Sequence, residues 1–264
     1  MKKFFLRIYL KKTMKKIHNY FKKLFYQLKI SKGNSVIVYS NLSTFGINNK
    51  YLPLIVIDQL KKAVGVNGTI FMPLYTLGGN VPKIFNKNNI YENKFTNLLA
   101  KNFFKEKKIR RSNCPIHSHI GLGKKTNILS KSNPSNSYGK NSDFDFMKKN
   151  KFKLLLLGCS PQEGATYFHQ IEAVKNLNYG KWISFKRKIF YKNKVKNINV
   201  NFFEKKNVKH NLNKALNVIS KKSKTFLSIK NKYYKSTIIN IDELHGLTLK
   251  ELKKNPYFLI KNEK

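Results

Sequence analysis

Lys153-Leu154-Leu155-Leu156-Leu157-Gly158-Cys159-Ser160-Pro161 is the stretch that decides the fold. Its apolar run is too short for a helix and is closed by a glycine and a proline, the pattern of a strand buried on both faces. Directly after it comes Ala165-Thr166-Tyr167-Phe168-His169-Gln170-Ile171-Glu172. A helical turn beginning near Thr166 would place His169 and Glu172, three residues apart, on one face. A neutral imidazole can take a proton near neutral pH, and a carboxylate can orient it and stabilise its cation. Only 12 of the 264 residues are acidic, which argues against Glu172 being surface filler. The plainer reading, a histidine capping a core turn beside a solvated glutamate, stays open on these residues alone.

Outward from that strand, the chain alternates strand and helix signals. Residues 31–34 read as a turn, Ser35 to Tyr39 as a buried strand and Ser40 to Gly46 as a polar loop. Leu52 to Val64 has helical periodicity and is stopped by Gly65 to Gly68. Thr69 to Met72 is a second strand ending at Pro73, and Phe95 to Phe104 is a short helix, followed by Ile109-Arg110-Arg111-Ser112. This order predicts an α/β fold: a mainly parallel central sheet with helices on both faces. Ligands of such sheets bind beyond the carboxyl ends of the strands, so the loops at 40–46, 73–80, 111–121 and 159–172 are expected around one site.

The last third predicts a small C-terminal β-rich subregion. Ile183 to Phe190 and Val195 to Phe203 read as hairpin strands, Leu212 to Ser220 as a helix, Thr237 to Ile241 as a strand and Leu247 to Lys254 as a last amphipathic helix. His210 and His245 read as isolated surface or structural histidines. With no repeat and no linker, residues 1–264 are expected to form a single domain, with 1–12 as a basic N-terminal extension.

A net charge of +42 ordinarily suggests nucleic acid. Here Lys, Asn, Ile and Phe are abundant together, the composition of an AT-rich genome, and the lysines run the whole length without an RNA-binding signature. No specific nucleic-acid partner is expected; a basic polyanion-binding protein without catalysis stands as the alternative. Two cysteines make no disulfide framework and point to a reducing compartment. The N-terminal apolar run is broken by Arg7, Lys11 and Lys12, and no apolar run is long enough to cross a bilayer, so a cytoplasmic protein is expected. Phe4, Ile8, Met14, Ile17, Phe21, Leu24 and Leu28 recur at helical spacing between lysines. Residues 4–28 could therefore lie on an anionic membrane surface, or pack their stripe on the domain.

Arg110 to Gly123 (RRSNCPIHSHIGLG) admits three readings. Cys114, His117 and His119 could ligate a metal, although no fourth ligand is evident. Cys114 could be a nucleophile activated by a nearby histidine. The segment could also be a polar pocket loop, with Arg111 available to phosphate.

Five segments, in order, resemble the aminoglycoside 3-N-acetyltransferase family. Val38 to Gly46 (VYSNLSTFG) resembles its V-H-S-S-L-S-x-x-G segment, and Gly65 to Thr76 (GVNGTIFMPLYT) its G-x-x-G-T-[LI]-x-M-P-[TS]-[FY]-T stretch. Arg111 to Gly123 resembles R-S-x-H-P-T-H-S-x-x-A-x-G, and Asn136 to Gly139 resembles S-P-[FY]-G. Leu154 to Glu172 resembles L-L-L-G followed by T-x-x-H-x-x-E. The likeness runs from about residue 13 to 190.

The resemblance implies an acetyl-CoA-dependent N-acetyltransferase with His169 as general base and Glu172 supporting it. It implies that Ser40, Asn41, Leu42, Ser43, Thr76, Arg111, His117, Ser118 and Thr166 hold acetyl-CoA, with no metal. Tyr39, Asn41, Cys114 and Leu74 depart from the family pattern, which makes Cys114 a substituted pocket residue. The expected acceptor is the amino group of an amino sugar or aminoglycoside-like molecule. A strongly basic chain repels polyamines and steers anions, which favours a nucleotide-linked or glycan-bound amino sugar.

Overall fold

Lys153–Leu157 lies between two hydrogen-bonded neighbours, parallel to Ser35–Ser40 and antiparallel to Lys235–Asn240. Leu155 faces Val38 on one side and Ile238 on the other. The computed structural model describes residues 2–76, 82–92 and 96–261, with side chains from residue 12 onward.

In chain order the elements are α1 (Lys2–Gln27), β1 (Ser35–Ser40), a 3-10 turn (Leu42–Phe45), α2 (Leu52–Val64), β2 (Thr69–Pro73), β3 (Ile84–Asn86) and α3 (Leu98–Phe103). There follow β4 (Arg110–Arg111), β5 (His119–Gly123), α4 (Ile128–Lys131), α5 (Asp143–Lys149), β6 (Lys153–Leu157), α6 (Pro161–Gly164) and α7 (Tyr167–Lys175). The chain ends through β7 (Gly180–Tyr191), β8 (Lys194–Lys205), α8 (Leu212–Ser220), β9 (Leu227–Lys230), β10 (Lys235–Asn240) and α9 (Ile241–Lys254).

Seven strands form the main sheet in the order β4-β5-β2-β1-β6-β10-β9. Its centre, β2-β1-β6, is parallel, and the strands on either flank are antiparallel. Successive strand residues point to opposite faces, and the two cores divide accordingly. Ile37, Tyr39, Leu154 and Leu156 pack with α5, α7, α8 and α9, whereas Val36, Val38, Leu155 and Leu157 pack with α1, α2 and α3. The leucine run is thus apolar throughout because helices cover both faces of the sheet.

The apolar stripe of α1 resolves one of the open readings. Ile17, Phe21, Leu24, Phe25 and Leu28 are buried in the same cluster as Leu52, Ile55 and Leu60 of α2. Over these residues the stripe packs on the fold and is not presented to a membrane; the side chains of Phe4 and Ile8 lie outside the described residues. Among the described residues, no helix is long and apolar enough to cross a membrane.

A separate three-stranded sheet, β3-β7-β8, carries the β-rich subregion. β7 and β8 pair over their whole length around Lys192 and Asn193, both at positive φ. Two such residues make the tight turn whose twist matches a hairpin. The last helix begins at Ile241, ahead of the expected Leu247. The short helix expected from Phe95 spans Leu98–Phe103, and Phe95 itself lies outside the described residues.

Candidate active site

A cleft of about 780 Å³ opens beyond the carboxyl ends of β1, β2 and β6. The loop after β1 contributes Ser40, Asn41, Leu42 and Ser43, and the segment after β2 contributes Tyr75. Cys159, Gln162, Glu163, Gly164, Thr166 and His169 come from the chain after β6, and His117, Tyr138, Phe202 and Lys205 close the far wall. Of the expected loops, 40–46 and 159–172 meet here as the strand order dictates; the loop at 73–80 is described only as far as residue 76.

Two backbone devices hold the base side. Gly158 ends β6 at φ +68, a conformation that favours glycine. A Cβ there would press on Thr44, whose hydroxyl donates to the Gly158 carbonyl at 2.7 Å. Next, Ser160 caps α6: its hydroxyl accepts the Glu163 N–H at 3.2 Å, and Glu163 Oε2 accepts the Ser160 N–H at 2.7 Å. This reciprocal pair is the capping box, readable in the sequence as Ser-Pro-Gln-Glu.

α7 starts at Tyr167 and brings His169 and Glu172 onto one face. His169 Nδ1 lies 2.6 Å from Glu172 Oε2; the imidazole is 22% exposed and the carboxylate fully buried. Glu172 Oε1 meets His210 Nε2 at 2.8 Å and accepts the Tyr179 hydroxyl at 2.8 Å. His210 therefore belongs to the site and is not the isolated histidine expected from the sequence. Bonds from the two imidazoles hold the carboxyl of Glu172 well below its usual range despite burial. Burial, with Lys205 and His210 nearby, pushes His169 down to about 4, while the bond and charge of Glu172 oppose that shift. The ligand-type atoms of His169, Glu172 and His210 all lie within 4.8 Å of one another, and hydrogen bonds account for that closeness.

Below the cleft runs a second polar chain. The Tyr39 and Tyr75 hydroxyls are 2.8 Å apart, Tyr75 reaches His119 Nε2 at 3.2 Å, and His119 Nδ1 meets Asp143 Oδ2 at 2.8 Å. Burial raises the pKa of both phenols, so they remain protonated donors. His117 is bonded to Ser137 Oγ at 2.5 Å and to the Tyr138 hydroxyl at 3.2 Å, and burial keeps its imidazole neutral.

Not every expected cofactor residue reaches the cleft. Arg111, expected to face phosphate, is buried and spends its guanidinium on Ser118 Oγ (3.0 Å) and the carbonyls of Asn89 (2.5 Å) and Leu74 (2.7 Å), stacked on Phe85. Ser118 is buried with it and donates to the Leu74 carbonyl at 2.6 Å. Thr76 is buried and donates to the Pro115 carbonyl. These three support the loops that shape the cleft. Cys114 is buried against Ile116 and Val200, outside the cleft, and burial beside Asp143 pushes its thiol up to about 12. Both features set Cys114 apart from the cleft residues. The thiol stays protonated, and His117 and His119 have other partners.

The family model of the aminoglycoside 3-N-acetyltransferases matches residues 37–250, well over half of the chain. The chain belongs to that family. It is accordingly an N-acetyltransferase, and acetyl-CoA is the cosubstrate that fits the family.

The fold of this family recurs in solved structures similar to the chain. The YokD protein from Bacillus subtilis is 21% identical, with a TM-score of 0.77 over 90% of this chain and 94% of its own. AAC-IIIb, solved as a binary complex with CoASH, is 13% identical, with a TM-score of 0.78 over 90% and 96%. The apoenzyme of aminoglycoside acetyltransferase AAC(3)-IVa is 18% identical, with a TM-score of 0.74 over 93% and 92%. At such identities the likeness is one of fold. No curated protein matches the chain in sequence.

Proposed function

We propose that the chain transfers the acetyl group of acetyl-CoA directly to the amine of an amino sugar or aminoglycoside-like acceptor, with His169 as general base. The supporting observation is the arrangement of His169, Glu172 and His210: a partly exposed imidazole at the cleft, backed by a buried carboxylate that three donors hold. With Nδ1 bonded to Glu172, Nε2 is the basic atom left to the cleft.

In the reaction a neutral amine attacks the thioester carbon. As the new C–N bond forms, the nitrogen becomes cationic and its proton far more acidic than that of the free ammonium, so even a weakly basic imidazole can remove it. Collapse breaks the C–S bond, and the proton on Nε2 passes to the departing thiolate. Glu172 stabilises the imidazolium between these steps. The tetrahedral oxyanion needs an N–H or hydroxyl donor at the cleft.

Ser40, Asn41, Leu42, Ser43, His117 and Thr166 are read as the walls that hold the cofactor, since all line the cleft. Residues 1–264 are read as one transferase domain, because β9 and β10 extend the central sheet and the β8 end of the hairpin walls the cleft. Calorimetry with CoA, followed by thiol release from acetyl-CoA over a panel of amino sugars and aminoglycosides, tests the assignment. No CoA binding at moderate salt overturns it.

A further inference from the structure

Resting on the acetyl-transfer reading above, we propose that Lys205 anchors an anionic group on the acceptor, so that the substrate is an amino sugar bearing a carboxylate or phosphate. Lys205 closes β8 and lines the same cleft as His169. Its ammonium sits over the rings of Tyr138 and Phe202, 5.4 and 5.9 Å from their centroids. Ring faces compensate a half-buried cation only in part. Among the described residues its ammonium has no hydrogen bond or ion pair, and the buried Glu172 carboxylate, engaged by its own three donors, acts on it through its charge alone.

The distribution of acids sharpens this. Among the described residues, Glu163, on the rim, is the only acid that lines the cleft, and Glu263 lies outside the described residues. Glu172 lies behind His169 with both oxygens engaged. Asp58, Glu106 and Glu251 are paired with lysines elsewhere. The segment 77–81, Leu-Gly-Gly-Asn-Val, holds no acid. A polyammonium acceptor would lose hydration here with only Glu163 on the rim as counter-charge and would face Lys205; an acidic acceptor gains a partner and is drawn in.

The phosphates of CoA do not compete well for this ammonium. The pantetheine arm separates them from the thioester, whereas the charge of Lys205 acts on His169 and His117, at the reacting end.

The test uses thiol release from acetyl-CoA with glucosamine, glucosamine 6-phosphate and kanamycin, on wild type, Lys205→Met and Lys205→Glu. Calorimetric binding of the first two acceptors to the protein–CoA complex runs alongside. Wild type should favour glucosamine 6-phosphate over glucosamine by at least about 10-fold in kcat/KM, the scale of one charge-assisted bond. Lys205→Met should erase that ratio with KM for acetyl-CoA unchanged, and Lys205→Glu should shift preference toward kanamycin. An equal ratio in wild type and Lys205→Met overturns the proposal, as does a raised KM for acetyl-CoA with the acceptor ratio intact. Failure of the transfer reading shows separately, as absent CoA binding and no thiol release with any acceptor. Binding of glucosamine 6-phosphate to the protein alone then decides, and absent or Lys205-independent binding overturns the anion site.

Discussion

His210 Nε2 stands 2.8 Å from Glu172 Oε1, the carboxylate oxygen that His169 does not use. One buried carboxylate thus bridges two imidazoles, the second of them 38 residues beyond Glu172 in the chain. The geometry of the proposed base depends on both sides of that bridge.

Replacing the base is the plainest test. His169→Ala should lower turnover by about 10²–10⁴-fold, with CoA affinity near wild type by calorimetry. Glu172→Gln should lower it less, because the carboxylate orients and never receives the proton. Full activity of His169→Ala across the pH range would remove the mechanistic assignment.

The imidazole should titrate well below the ordinary histidine value, toward about 4. Glu172 raises this value and Lys205 lowers it. In Glu172→Gln the His169 titration should therefore move further down, and in Lys205→Met it should move up. NMR titration of the His169 ring resolves both directions. Between that limb and the pKa of the acceptor amine, the rate should climb with pH as the amine becomes neutral.

Cys114 should carry no acyl group. Incubation with acetyl-CoA alone should add no acetyl mass to the protein, and Cys114→Ala should stay substantially active. An acetyl mapped to Cys114 that transfers on adding acceptor would establish a two-step route instead.

Asp143 should matter for stability more than for chemistry. Its Oδ2 accepts from Ser112 Oγ at 2.6 Å and meets His119 Nδ1 at 2.8 Å, all buried. Asp143→Ala strands these partners and should cost about 3–5 kcal/mol in denaturant unfolding. An unchanged unfolding midpoint would show that the pair is not needed.

What the sequence made legible follows periodicity and proximity. Leu154 to Leu157 announced a strand covered on both faces, and three-residue spacing sufficed to put His169 beside Glu172. Partners that meet only through the fold left no such trace. His210 enters from the chain before α8, and Tyr179 from the segment before β7. Lys205 is one of 54 basic residues, so its place in the cleft could not be distinguished by composition. Arg111 misled for the opposite reason: a local motif suggested an exposed charge, but the antiparallel pairing of β4 with β5 turns it inward beside Ser118.

The hairpin of β7 and β8 belongs to a different sheet from the strand that leads to His169. On the proposed roles of His169 and Lys205, chemistry and selectivity would hang on separate pieces of chain, one in the central sheet and one in a sheet of its own. A substitution at the β8 end of that ribbon would then alter acceptor choice without touching His169, Glu172 or His210.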